Sequence, residues 1–238
     1  AKIRQINVVG NQAFDDDTLR DVFELEDRPS WFFGWFSSDE YSRQQLSGDL
    51  ERLRSWYLDR GYVNFAITST QVSISPDKSR IFVTVNVEEG KQYRLGEIHF
   101  AGDLKIPPSE ARNLVEATPG EIFSRSDITA SSEALRSRLG AEGYAFASVE
   151  GVPEITADGE RVDVTFQVDP GRRAYVRRVD FVGNTTTMDE VLRREMIQME
   201  GAPASTEQIS QSRQRLERLG FFKQVDVETR PVAGEPDQ

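Results

Sequence analysis

The sequence predicts an α+β chain, a tandem array of three β-α-α-β-β units, each a three-stranded mixed sheet with two helices on one face. Three observations predict it. A strand-like opening that ends in Gly and then Asn or Asp occurs three times, as IRQINVVGN at 3–11, RLGEIHFAGD at 94–103 and VRRVDFVGN at 176–184. A helix-like stretch closed by glycine recurs downstream, as RSWYLDRGYV ending at 63, RSRLGAEGYA ending at 145 and RLERLGFFKQ ending at 224. Alternating hairpins follow the first two of these glycines. Self-similar segments in a fixed order are the signature of a repeat protein.

Each element follows from its pattern. Ile6 and Val8, Ile98 and Phe100, and Val179 and Phe181 alternate with polar neighbours, which reads as a half-buried strand. Gly10, Gly102 and Gly183 suit a sharp exit turn with positive φ. A short helix comes next, as at Asp17–Leu25 in the first unit, and Thr187 with Glu190 offers a capping box for its third copy. On the long helix, Leu46, Leu50, Leu53 and Tyr57 fall opposite Ile128, Ser132, Leu135 and Leu139, spaced to share one face. The third copy keeps Ile209 and Leu216 but places Ser205 and Ser212 at the other two positions. Gly61, Gly143 and Gly220 are placed to end this helix in the left-handed conformation.

The hairpins run from Tyr62 to Gly90, turning at Ser75–Ser79, and from Tyr144 to Gly171, turning at Asp158-Gly159. The units span 1–91, 92–172 and 173–238, and the third lacks its last strand. Each is expected to hold its own small core, with the helix at 42–60 packed on its own sheet.

Composition excludes several function classes. A net charge of −11 argues against nucleic acid, whose phosphates call for clustered Lys and Arg. With no cysteine and one histidine, disulfides, thiol chemistry and Cys/His zinc sites are ruled out. No run approaches the roughly 18 apolar residues of a membrane span, so the fragment is expected to be soluble. His99 falls at an outward position of a strand, Asp15–Asp17 at a helix start and Glu88-Glu89 at a strand end, all read as structural. No phosphate loop, nucleophile elbow or ligand-spaced set appears, so neither an enzyme nor a cofactor is expected. A periplasmic hydrolase is the alternative of a different class, and it lacks a nucleophile–base pair.

Three features invite partners. Trp31, Phe32, Phe33, Trp35 and Phe36 crowd a loop inserted in the first unit; they either fold back into its core or form an apolar docking patch. The pairs Arg172-Arg173, Arg177-Arg178 and Arg193-Arg194 either bridge to Asp180, Glu190 and Glu195 or face a partner or lipid headgroups. The stretch TQVSIS at 70–75 carries no charge, and an edge strand of that kind is either a solvated edge or a template for strand addition.

Long segments carry a resemblance over essentially the whole chain: GDLERLRSWYLDRGYVNF at 48–65, STQVSISPDKSRIFVTVNVEEG at 69–90, VLRREMIQMEGA at 191–202 and RLERLGFFKQVDVET at 215–229. The sequence resembles the POTRA (polypeptide-transport-associated) repeats of outer-membrane protein assembly factors, units three to five of five. The resemblance implies a periplasmic arm on a C-terminal membrane barrel that this chain lacks. It implies binding of unfolded outer-membrane β-barrel precursors by strand addition, at an edge that here is Gln71, Val72, Ser73, Ile74 and Ser75. That unit would also help dock a propeller-type accessory lipoprotein. A helical-repeat accessory lipoprotein would dock on the last unit at Met199, Glu200 and Gly201, with Arg193 and Arg194 upstream, near the same azimuth if the helix runs on to Met199. A related two-partner secretion or translocation transporter is the alternative within this class.

Overall fold

The computed structural model describes residues 2–23, 38–76, 80–235 and 237. In chain order the elements are β1 (Lys2–Val9), α1 (Asp16–Arg20), α2 (Ser38–Leu58), β2 (Ala66–Ile74), β3 (Arg80–Glu88), β4 (Arg94–Gly102), α3 (Pro108–Asn113), α4 (Arg125–Ala141), β5 (Ser148–Ile155), β6 (Arg161–Asp169), α5 (Asp189–Glu195) and α6 (Thr206–Arg218). They form an α+β array with two three-stranded sheets, ordered β1-β3-β2 and β4-β6-β5. In the first sheet β1 runs parallel and β2 antiparallel to the central β3. The last strand of a repeat is thus the middle strand of its sheet.

The core of the first repeat follows from its apolar spacing. Leu53 and Tyr57 of α2 pack with Leu19 of α1 and Phe23 against Ile6, Val83, Val85 and Val87 of the same repeat's sheet. Phe14 meets the ring edges of Trp56, Tyr57 and Tyr62 at 4.6, 5.5 and 5.6 Å. Buried among these rings, Glu89 accepts the Tyr57 hydroxyl at 2.7 Å and the Gln12 and Ala13 N–H groups at 2.8 and 3.0 Å. In the second repeat Ile128, Leu135 and Leu139 are buried on α4, while Ser131, one position before the expected Ser132, is buried with them and accepts the Glu116 N–H at 3.0 Å.

The third repeat departs from the expected pattern. Among the described residues from 173 to 238 there is no strand longer than a single bridge, although 176–184 alternates like β1 and β4. The sheet order supplies the reason: both outer strands hydrogen-bond only to the repeat's last strand, and none of these residues forms one. The capping box at Thr187 and Glu190 does not form either. Met188 is the N-cap of α5 and makes no side-chain cap bond. Instead the Asn184 amide donates to the Thr187 carbonyl at 3.1 Å and to Asp189 at 2.8 Å, as Asn11 does to Phe14 and Asp16 in the first repeat.

The connectors repeat as closely as the elements do. The Gly61 carbonyl accepts from Tyr93 N–H at 2.8 Å, and the Tyr93 carbonyl from Phe123 N–H at 3.1 Å. At the next connector the Gly143 carbonyl accepts from Ala174 N–H at 2.9 Å, and the Ala174 carbonyl from Ala204 N–H at 2.8 Å. The side chains of Gln92 and Arg173 add matching bonds to the Arg60 and Glu142 carbonyls at 3.0 and 2.8 Å. Both glycines have positive φ, +86° and +97°. A Cβ would stand 2.6 Å from the Tyr93 oxygen in one and 2.9 Å from Arg173 Nε in the other, so conformation and space both call for glycine. By contact density the chain forms two compact units, one gathering 1–97, 117–127 and 155–162, the other 98–116, 128–154 and 163–238. The first connector lies within one of these, the second within the other.

Candidate docking surfaces

β2 is an edge strand of the first sheet, paired only with β3. Its register sets Val72 opposite Val83 and Thr70 opposite Val85. Residues directly opposite in an antiparallel pair share a face, so Val72 and Thr70 lie on the side of the buried Val83 and Val85. Yet Val72 is 53% exposed, whereas Val83 opposite it is fully buried. Gln71 and Ser73 are exposed too, and Ser75 is half-buried. Ile74 pairs through its backbone with Ile81. The nine residues of β2 include no proline and no charge, so every residue along its outer side has both a main-chain donor and an acceptor to offer a further strand.

On the third repeat, α5 ends at Glu195 rather than running on to Met199. The chain turns back, and Arg193 and Glu200 meet at 3.0 Å through the turn instead of along a helix face. Glu200 Oε1 also accepts the Val179 N–H at 2.8 Å, and Arg193 donates to the Val179 carbonyl at 2.9 Å. The two side chains satisfy both main-chain groups of Val179, extending a run in which Ala204 donates to Ala174, Val176 to Ala202 and Gly201 to Val176. The Val179 amide and then the Arg193 guanidinium hold the Glu200 carboxyl below the usual carboxylate range. Gln198 is buried beneath this turn, bonded to the Pro203 carbonyl and the Ser205 N–H. Arg194 is exposed, Met199 is 61% exposed, and Gly201 closes the turn with φ +76°.

The structure therefore unites Arg193 and Glu200 on the main chain of Val179, with Gly201 in the turn beside them, and leaves Arg194 and Met199 outward. Trp31, Phe32, Phe33, Trp35 and Phe36 lie outside the described residues. Of the other arginines, Arg178 pairs with Asp180 and Arg177 with Glu235 on the surface, while Arg173 belongs to the second connector. His99 is exposed. The connector residues Tyr93, Phe123, Ala174 and Ala204 escaped the sequence reading. Their signal was available in the equal steps from Tyr93 to Phe123 and from Ala174 to Ala204, but their side chains differ in kind and the shared feature is the backbone. Among the described residues, no helix is long and apolar enough to cross a membrane.

Comparison with known proteins adds the family. The POTRA model, described as a surface antigen variable number repeat, matches three times, at 1–90, 93–171 and 174–238. The outer membrane protein assembly factor BamA of Neisseria meningitidis is 33% identical over 240 residues, covering all of this chain and 30% of that protein. BamA of Buchnera aphidicola is 31% identical over 226 residues, covering 95% of this chain and 36% of that protein. The chain thus spans about a third of the length of these relatives. Among solved structures, POTRA3-5 of Haemophilus influenzae BamA superimposes with a TM-score of 0.82 at 33% identity, covering all of this chain and 92% of that one. BamA of Haemophilus ducreyi lacking POTRA domains 1-3 matches 61% of this chain and 28% of its own, at 36% identity and a TM-score of 0.55. With its three repeats matched in order and a solved three-repeat structure matched over the whole of this chain, the chain belongs to the POTRA family, as a region of the BamA type.

Proposed function

We propose that this chain is the periplasmic arm of an outer-membrane protein assembly factor. In this reading it captures unfolded β-barrel precursors by main-chain pairing on β2 and holds accessory lipoproteins for their insertion. The exposed, uncharged, proline-free edge carries the reading, since pairing through the main chain accepts any extended precursor regardless of its side chains. A propeller-type lipoprotein would share this first repeat. A helical-repeat lipoprotein would dock on the third, reading Arg194 and Met199 on a turn held in shape by Arg193 and Glu200. The membrane barrel of the assembly factor would be the arm's partner in cis.

The test is site-specific photocrosslinking with an unfolded outer-membrane precursor. A crosslinker at Gln71 should capture it, and Val72→Pro should reduce capture by removing a ladder donor and stiffening the strand. Capture that is strong at α4 and unchanged by the proline would assign the precursor to another surface.

A further inference from the structure

The second sheet has an edge at the same position, β5, and its sequence SVEGVPEI is unlike that of β2. Val152 and Ile155 stand 41% and 36% exposed along it, so its apolar exposure resembles that of β2. What differs is the main chain. At the hairpin the Thr156 N–H donates to the Arg161 carbonyl at 2.9 Å, which turns the polar groups of Thr156 toward β6. In a strand these groups alternate sides, so 154, 152 and 150 also face β6, while 155, 153, 151 and 149 face away. Pro153 is thus in the outward set, at the middle of the edge, where a further strand would need its N–H. Side chains follow the same parity: a Cβ on Gly151 would run into Ile128 of α4, so the outward set turns its side chains to the helix layer. Glu150 and Glu154 fill the opposite face.

We infer that Pro153 closes β5 to strand addition, so of the two hairpin edges the first repeat's is open and the second's is blocked. This rests on the strand-addition reading above and gives it a direction. Two open hairpin edges would let a precursor bind in two registers on neighbouring repeats, or let two arms pair through them, whereas closing one leaves β2 as the open edge of the two hairpins. Proline is the residue for this task because it removes a donor and adds a ring where the incoming carbonyl would lie. β2 has no counterpart to it.

The test uses the whole 238-residue chain, a soluble strand-length peptide of alternating valine and threonine as probe, and a photocrosslinker at Gln71 or at Val152. The native chain should label at Gln71 and only weakly at Val152. Pro153→Ala, and independently Pro153→Val, should raise labelling at Val152 by about tenfold, the effect of one restored main-chain bond of roughly 1.4 kcal/mol, and leave labelling at Gln71 unchanged. Strong labelling at Val152 in the native chain, or none there in either variant, would overturn the inference. Loss of labelling at Gln71 alone would instead strike the strand-addition reading, and labelling at Val152 in the variants would then still uphold the role of Pro153.

Discussion

Glu89 and Glu200 both use a carboxylate to hold main-chain N–H groups, one buried among aromatic rings and the other at the surface. The buried one shows its cost through Tyr57, whose hydroxyl is pushed well above the ordinary phenol range, first by burial and then by Glu89. The folded state therefore favours neutral Tyr57. Its contribution to stability is complete below about pH 10, the unfolded value, and declines as pH rises further. Tyr57→Phe leaves one buried Glu89 oxygen without its donor and should cost about 1–3 kcal/mol, read from urea unfolding at neutral pH. A loss under half of that would mean that water replaces the hydroxyl. Glu200 has the opposite sign. Its lowered carboxyl pKa makes the hold on Val179 complete above the ordinary carboxylate range and lost as pH falls through the folded value. Acidification should raise amide exchange at Val179, relative to the intrinsic rate, before exchange rises in the first repeat's core. Simultaneous loss at both places would show that Glu200 holds nothing by itself.

At the scale of elements, the long helices and hairpins were legible because periodicity reports burial directly. Leu53, Tyr57, Leu135 and Leu139 appear on the buried faces that their spacing indicated, and Val83, Val85, Val162 and Val164 on the inward side of their strands. The opening strand of the third repeat was misread for the same reason. Its segment 176–184 alternates as a strand does, but a strand is a pairing, and the alternation of one segment does not supply the neighbour. At the turn 199–201, the proposed docking site, the contact was legible and its geometry was not: helix periodicity brought Arg193 toward Glu200, whereas the actual contact follows from a chain reversal that spacing does not encode. The Leu53 side chain is fully buried between sheet and helices, so Leu53→Ala should destabilise the chain by about 2–5 kcal/mol, measured as a shift of the first repeat's unfolding midpoint. A smaller loss would mean that neighbouring side chains close over the gap.

At the scale of the whole molecule, the connectors repeat as the units do. Each joins the helix-ending glycine of one repeat to two residues of the next by the same pair of main-chain bonds. Gly61→Ala should cost about 1–2 kcal/mol for its positive φ alone, with further displacement of the Tyr93 carbonyl. Amide exchange should therefore rise at Tyr93 and Phe123 while Val83 and Val85 stay protected. The central claim concerns β2: that it holds an extended precursor by main-chain pairing, as proposed above. Amide hydrogen exchange of β2, with and without an unfolded outer-membrane precursor, tests it most directly. Main-chain pairing predicts that alternate amides of Ala66–Ile74 gain protection while those of β5 do not. Precursor binding that leaves every β2 amide exchanging at its original rate would contradict it.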